Sequence, residues 1–156
     1  MNFFRYIMSL SLVAWVGGIV FFISMTPILF AVLPSRHMAG SVVSPALNRL
    51  HWIGILSGVL FLASSWAYSL IVAGYVRLWT PANVLVLLML ILTGASQFGL
   101  SPRLAEIRGE TPVMDSAPAE VRARFDALHQ WSTRIEGVVL LLGLVAVYLN
   151  SKERVY

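Results

Sequence analysis

The chain contains no cysteine. Disulfides, thiolate nucleophiles and Cys-ligated metal centres are therefore excluded, and the redox compartment stays open. Charge is scarce as well: 12% of residues are Asp, Glu, Lys or Arg, where a soluble domain carries roughly a quarter. The formal net charge of +4 is spread over loops and ends. Without a Lys/Arg block of the kind that grips nucleic acid, that partner is set aside. Nucleotide and hydrolase fingerprints are missing too: no G-x-S-x-G, no P-loop, no dinucleotide-binding glycine pattern. Serines are plentiful, but they lie in apolar runs, where they pack and bond back to the preceding turn. The reading leans away from an enzyme.

Apolar side chains fill the space that charge leaves. They make up 58% of the chain, and the mean hydropathy is +0.81. A chain this apolar cannot cover itself with polar surface in water, so the bilayer is its natural solvent. Arg5 precedes an apolar run of roughly 28 residues, against about 7–15 for the core of a signal peptide, so the first segment reads as a retained membrane helix. Four spans follow from the pattern, at about 6–33, 51–76, 80–100 and 132–150, each meeting the requirement of roughly 20 apolar residues. Pro27 kinks or ends the first span, and Pro34 stops it. Thr80 is a good N-cap for the third, with Pro81 at its first helical position, and "SPRLAEIRGE" extends that helix past the bilayer. The fourth helix starts ahead of its span: Ser116 reads as an N-cap, Pro118 is tolerated in the first turn, and Val121, Phe125 and Leu128 keep helical spacing. No linker or low-complexity segment divides residues 1–156. The fold expected is an all-α polytopic membrane protein: one domain, a four-helix transmembrane bundle, up-down-up-down, with the fourth helix extended beyond the bilayer.

Gly54-x-x-x-Gly58 has the close-approach spacing of packed membrane helices; packing within the chain is the bland reading and a dimerisation seam the alternative. Tyr75 and Trp79 fit an interfacial belt, whereas Trp15 lies deeper. By parity, the termini and the loop near Arg77 share one side of the membrane (side A). The first and third connections share the other (side B). Arg5, Arg77, Lys152 and Arg154 on side A face Arg36, Arg49, Arg103, Arg108, Arg122 and Arg124 on side B. Charge count and charge density then point opposite ways, so sidedness is undecided. A multi-pass protein of a bacterial inner membrane is the expectation.

Polarity is concentrated at one end. Thr26, His37, Arg49, His51, Gln97, Arg103, Glu106, His129, Thr133, Arg134 and Glu136 all fall on side B and form a mouth; the three histidines are among them. His129, Ser132, Thr133 and Glu136 share one helix face. Glu136 lies about 10 Å deeper than His129 at 1.5 Å per residue, so the two cannot ligate one ion on a regular helix. An ionisable group within a span is costly and faces the bundle or a wet cavity. Glu136 is read as a proton carrier or cation-binding carboxylate, or as a structural ion pair fixing helix register. Gln97, Arg103 and Arg49 are its expected partners. His51 and His129 open two helices on the same side. Meeting there, they would suit copper or zinc with Glu106 or water as a third ligand, or would clamp a haem b with Arg49 and Arg103 near its propionates. The bland reading is a pair of interfacial histidines bonding headgroups or loop carbonyls. No HxxxH or ExxH spacing supports a metal. His37 is treated as surface.

The segment "WVGGIVFFISMTPILFAVLPSRHMAGSVVSPALNRLHWIGILSG", with its Trp-x-Gly-Gly opening, late proline, Pro-ended hinge and histidine at the head of the second span, resembles the transmembrane protein two-hundred-and-five-like family of small four-helix membrane proteins. "SPRLAEIR" and "FDALHQWSTRIEGVVLL" resemble the same family, so the likeness covers nearly the whole chain. Trp15, Gly17, Gly18, Pro27, His51 and His129 are the positions that match. "WVGG" is also similar to the start of copper-resistance D membrane proteins, which are larger; that likeness implies a metal at the two histidines. The functional expectation is a metal- or haem-binding membrane protein, with an accessory subunit of a larger membrane complex as the alternative. Its partners would be the bilayer, other membrane subunits or a second copy of the chain. A proton-coupled transporter is a third reading, set back by the small size and the lack of a defensible inverted repeat.

Overall fold

In a computed structural model, residues 2–110 and 116–152 are described. They form α1 (Asn2–Val32), α2 (Arg36–Ala73), α3 (Pro81–Ala95), a π-helical turn (Ser96–Leu100), α4 (Ser101–Glu110) and α5 (Ala119–Lys152). Four helical stretches are long and apolar enough to cross a membrane, the third running without a break from α3 through the π turn into α4. The protein is an all-α, multi-pass membrane bundle with up-down-up-down order. α1 packs chiefly on α2 and α3 on α5, while α2–α3 and α1–α5 contacts close the ring.

Helix ends follow local chemistry. The Thr80 side chain accepts from the Asn83 amide at 3.2 Å, with Pro81 at the start of α3. Gly74 closes α2 in the left-handed conformation, φ 76°, where a Cβ would be strained. Pro27 lies inside α1 without ending it. α2 departs most from its expected bounds: it starts at Arg36 rather than about residue 51, so His37 is helical and exposed. Pro34 ends α1, Ser35 caps α2 by accepting from the Met38 amide at 3.2 Å, and Pro45 is carried within the helix. α5 begins at Ala119, with the Arg122 amide bonded to the Pro118 carbonyl at 3.1 Å, three residues after the expected cap at Ser116.

At 38 and 34 residues, α2 and α5 measure about 57 and 51 Å, against roughly 30 Å of hydrocarbon. Both project on side B and form a cap with α4. Ala39, Val43, Leu104 and Ile107 are buried there. The Arg108 guanidinium lies 5.2 Å over the Phe125 ring and reaches the Gly40 carbonyl at 3.5 Å, so the cap ties α2, α4 and α5 together.

The membrane core is built on close approach. Trp15, 2% exposed, lies against Gly54 and Gly58 of α2; a Cβ at Gly58 would stand 2.8 Å from its ring and 2.6 Å from Leu90. The GxxxG spacing therefore serves packing between α1 and α2. At Gly143, a Cβ would meet Val16 at 2.6 Å and Met89 at 3.1 Å, which brings α1, α3 and α5 together. Phe61, Val86, Met89 and Val139 complete a fully buried centre.

Candidate functional site

Above that apolar centre, toward side B, the interior turns polar. His51 is 1% exposed on the inward face of α2, one turn before Gly54. Its Nε2 lies 2.6 Å from Oε1 of Glu136 on α5, and its Nδ1 lies 2.9 Å from Oε1 of Gln97. Gln97 Nε2 in turn donates to Asn48 Oδ1 at 2.8 Å. The chain of contacts joins α2, the π turn and α5, and runs from exposed Asn48 inward to a buried carboxylate.

The order of donors fixes much of the chemistry. Because Gln97 gives its amide N–H to Asn48, its carbonyl faces the imidazole, and His51 Nδ1 must carry the hydrogen. Nε2 is then free to exchange a proton with Glu136. A nitrogen–oxygen separation of 2.6 Å places a hydrogen between the two atoms, at the short edge of the roughly 2.7–2.9 Å of charge-assisted N–H···O bonds. Either imidazolium faces carboxylate, or a neutral ring accepts from a carboxylic acid; the two forms hold the same proton at different atoms, and its release leaves a neutral ring against a bare carboxylate. In a low-dielectric interior both forms are tolerable because both ring nitrogens and Glu136 Oε1 are hydrogen-bonded.

The π turn puts Gln97 in place. α3 is anchored where Met89 meets Gly143, and α4 is anchored in the cap through Leu104 and Ile107. The widened turn between them lets both faces be buried at once. Seven residues onward from Met89 and seven back from Gly143 on the antiparallel helix bring Ser96 level with Glu136. Ser96 and Thr93 are buried to 0% and 1% exposure, and neither hydroxyl has a hydrogen-bond partner among the described residues.

Next to Gln97 a cleft of about 350 Å³ opens between α2 and α4, lined by Ser44, Pro45, Asn48, Gln97, Ser101, Pro102 and Ala105. Exposed Trp52 and Phe98, edge to face at 6.0 Å, follow His51 and Gln97 in the chain and lie at the inner end of the cleft, and exposed Trp131 with Arg134 5.5 Å over its ring stands further out on α5. Glu136, five residues further in than Trp131, lies about 7–8 Å below that ring, at the depth of His51 and so of Trp52.

Of the residues singled out in the sequence, the structure brings His51, Gln97 and Glu136 together. It separates His129, which is exposed on the projecting part of α5 and stacks on Phe125 at 6.2 Å. Since His51 bonds Glu136, two turns beyond His129, the rings lie roughly 10 Å apart along the axis and share no ligand position. Arg49, Arg103, Glu106, Thr133 and Arg134 are exposed, and Thr133 bonds back to the His129 carbonyl at 3.0 Å. The partner expected for Glu136 among Gln97, Arg103 and Arg49 is instead His51, with Gln97 one bond further on. Both His51 nitrogens are engaged. Among the described residues, no group of three or more His, Cys, Asp or Glu side chains could hold a metal. Asn48 and Ser96 carried no sequence signal beyond their polarity. On side A, Asn83 is also buried, donating to the carbonyls of Arg77 and Leu78 at 3.0 and 3.2 Å, which closes the α2–α3 turn.

The family model for a domain of unknown function (DUF4149) matches residues 10–112. The match takes in Asn48, His51 and Gln97 and stops short of α5 and Glu136. No curated protein and no solved structure matches the chain.

Proposed function

The chain belongs to the DUF4149 family, and we propose that this member holds an exchangeable proton on its buried His51–Glu136 pair, taken up and returned on side B through Asn48 and Gln97. The observation that carries this reading is the 2.6 Å contact between an imidazole and a carboxylate whose side chains are 1% and 11% exposed, inside a span where ionisable groups are expensive. Gln97 holds the ring tautomer, so that protonation changes at one atom pair only. The cleft beside Gln97 gives water a way to the outer end of the relay. The likeness to the transmembrane protein two-hundred-and-five-like proteins, and a place in a bacterial inner membrane, belong to the same proposal.

The geometry offers less to a metal or haem at His51 and His129. His51 would have to give up one of two hydrogen bonds, and His129 lies in the projecting cap. An accessory role docked through the projecting part of α5 rests on that part's exposure alone, and α4 already covers one face of it, with Arg108 over the Phe125 ring.

Infrared difference spectra of the protein in liposomes, taken between acid and alkaline pH, test the proposal. Acidification should add either a carboxyl stretch, with the proton on Glu136, or imidazolium ring bands, with it on His51; the carboxyl stretch should vanish in Glu136→Gln, and either signal should shift in Gln97→Leu, which removes the bond to Nδ1. Spectra of wild type and Glu136→Gln that superimpose across the range would show a static pair and end the reading.

A further inference from the structure

We infer that the side-B cleft binds a neutral, carbonyl-bearing head group arriving from the lipid phase, of the quinone type, and that its occupancy is felt at the His51–Glu136 pair. Binding stands on the cleft alone; the coupling rests on the proton-binding reading. At about 350 Å³ the cleft falls within the range of small-molecule sites, about 300–1,000 Å³. Its lining carries no charge. Pro45, Pro102 and Ala105 give apolar wall, while Ser44 and Ser101 give hydroxyls. The Asn48 carbonyl is taken by Gln97, and the Gln97 carbonyl faces His51. What Asn48 still offers is its N–H₂ group, a donor. A site with donors, hydroxyls and flat apolar walls selects a neutral acceptor. It has no cation for a phosphate and no carboxylate for an ammonium or a metal. Asn48 lies three residues outward of His51 and exposed Trp131 five residues outward of Glu136, so the cleft stands level with an interfacial tryptophan, the depth at which amphiphile heads lie.

Coupling follows from the order of the hydrogen bonds. A ligand carbonyl accepting from Asn48 Nδ2 polarises the amide, strengthens Asn48 Oδ1 as an acceptor for Gln97, and so strengthens Gln97 Oε1 as an acceptor for His51 Nδ1–H. That favours the proton on His51. By reciprocity, protonation of the pair favours the ligand. The charged and titratable groups at this level are Arg49 and His51 on α2, Arg103, Glu106 and Arg108 on α4, and His129, Arg134 and Glu136 on α5. α1 supplies none over residues 20–32. Of these, His51 and Glu136 are the buried ones.

The test is titration of the full-length protein in nanodiscs with a short-chain ubiquinone, read by tryptophan quenching. Saturable quenching is expected, carried by Trp52 and so lost in Trp52→Phe. Binding should weaken at least tenfold in Asn48→Leu and Ser101→Val, and should not be displaced by an alkylbenzene of equal tail length that lacks carbonyls. Affinity should fall several-fold from acid to alkaline pH in wild type and be independent of pH in the double variant His51→Gln, Glu136→Gln. Quenching that rises linearly, equally in wild type and all variants, is partition into lipid and overturns the site. Saturable binding with no pH dependence overturns the coupling and leaves the site; the infrared band then shows whether the proton reading has failed with it.

Discussion

At the scale of single residues, the His51–Glu136 contact is a commitment that each partner imposes on the other. Removing one group from a buried pair strands the other in a medium that cannot hydrate it, which costs about 3–5 kcal/mol. Replacing both by apolar groups removes the desolvation penalty along with the attraction. Glu136→Ala should therefore destabilise the bundle by that amount, whereas His51→Phe with Glu136→Leu should recover most of the loss. Unfolding in detergent titrated with SDS reads both, and single-variant costs that simply add would show that the two side chains do not depend on each other. The sequence made one half of this legible. A carboxylate four residues inside an apolar run is costly, and Glu136 was conspicuous for that reason. Its partner was not, because His51 lies 85 residues away and every nearby arginine looked a more obvious counter-charge. Those arginines have water and headgroups to turn to; the histidine, facing inward between Leu50 and Gly54, has no such outlet.

At the scale of the elements, helix existence was readable from hydrophobic runs and their caps, and Thr80–Pro81 behaves as its chemistry dictates. Two features escaped. The first half of α2 carries prolines at its edge and within it, and so looked like a loop; it is helical because its small face, Ala39, Gly40 and Val43, is buried in the cap. The π turn has no sequence signature at all. It arises from a conflict of register between two anchored faces, α3 in the membrane core and α4 in the cap. Deleting Phe98 would restore α-helical register and rotate α4 by about 100° relative to α3. Leu104 and Ile107 would then leave the cap, and Arg108 would leave Phe125 and Gly40. Hydrogen exchange should show the α4 amides losing protection by at least about tenfold, while the α1–α2 contact at Trp15 stays intact. Unchanged protection of α4 would mean that the π turn absorbs no strain between the two anchors.

At the scale of the whole molecule, the bundle is polarised along the membrane normal. Its side-A end has the Trp79, Tyr75 and Tyr148 belt, with the Lys152 ammonium 5.0 Å over the Tyr148 ring. Its side-B end has Trp131 level with the cleft, the exposed Trp52–Phe98 pair below it and the buried His51–Glu136 pair. From Lys152 to Glu136 is sixteen residues of α5, about 24 Å, and the fully buried apolar layer of Phe61, Val86, Met89 and Val139 fills the space between. Protons should thus reach the pair from side B alone, and the molecule carries its own means of proving it. With no native cysteine, single cysteines can be placed anywhere without background. Asn48→Cys, Ser101→Cys and His129→Cys should react with a membrane-impermeant maleimide from one face of sealed vesicles, and Trp79→Cys and Lys152→Cys only from the opposite face. If Asn48→Cys and Lys152→Cys were labelled from the same face, the up-down-up-down order would be wrong in this membrane. If Asn48→Cys were labelled from both, the apolar layer would not be a seal, and the pair would be open to both sides rather than to one.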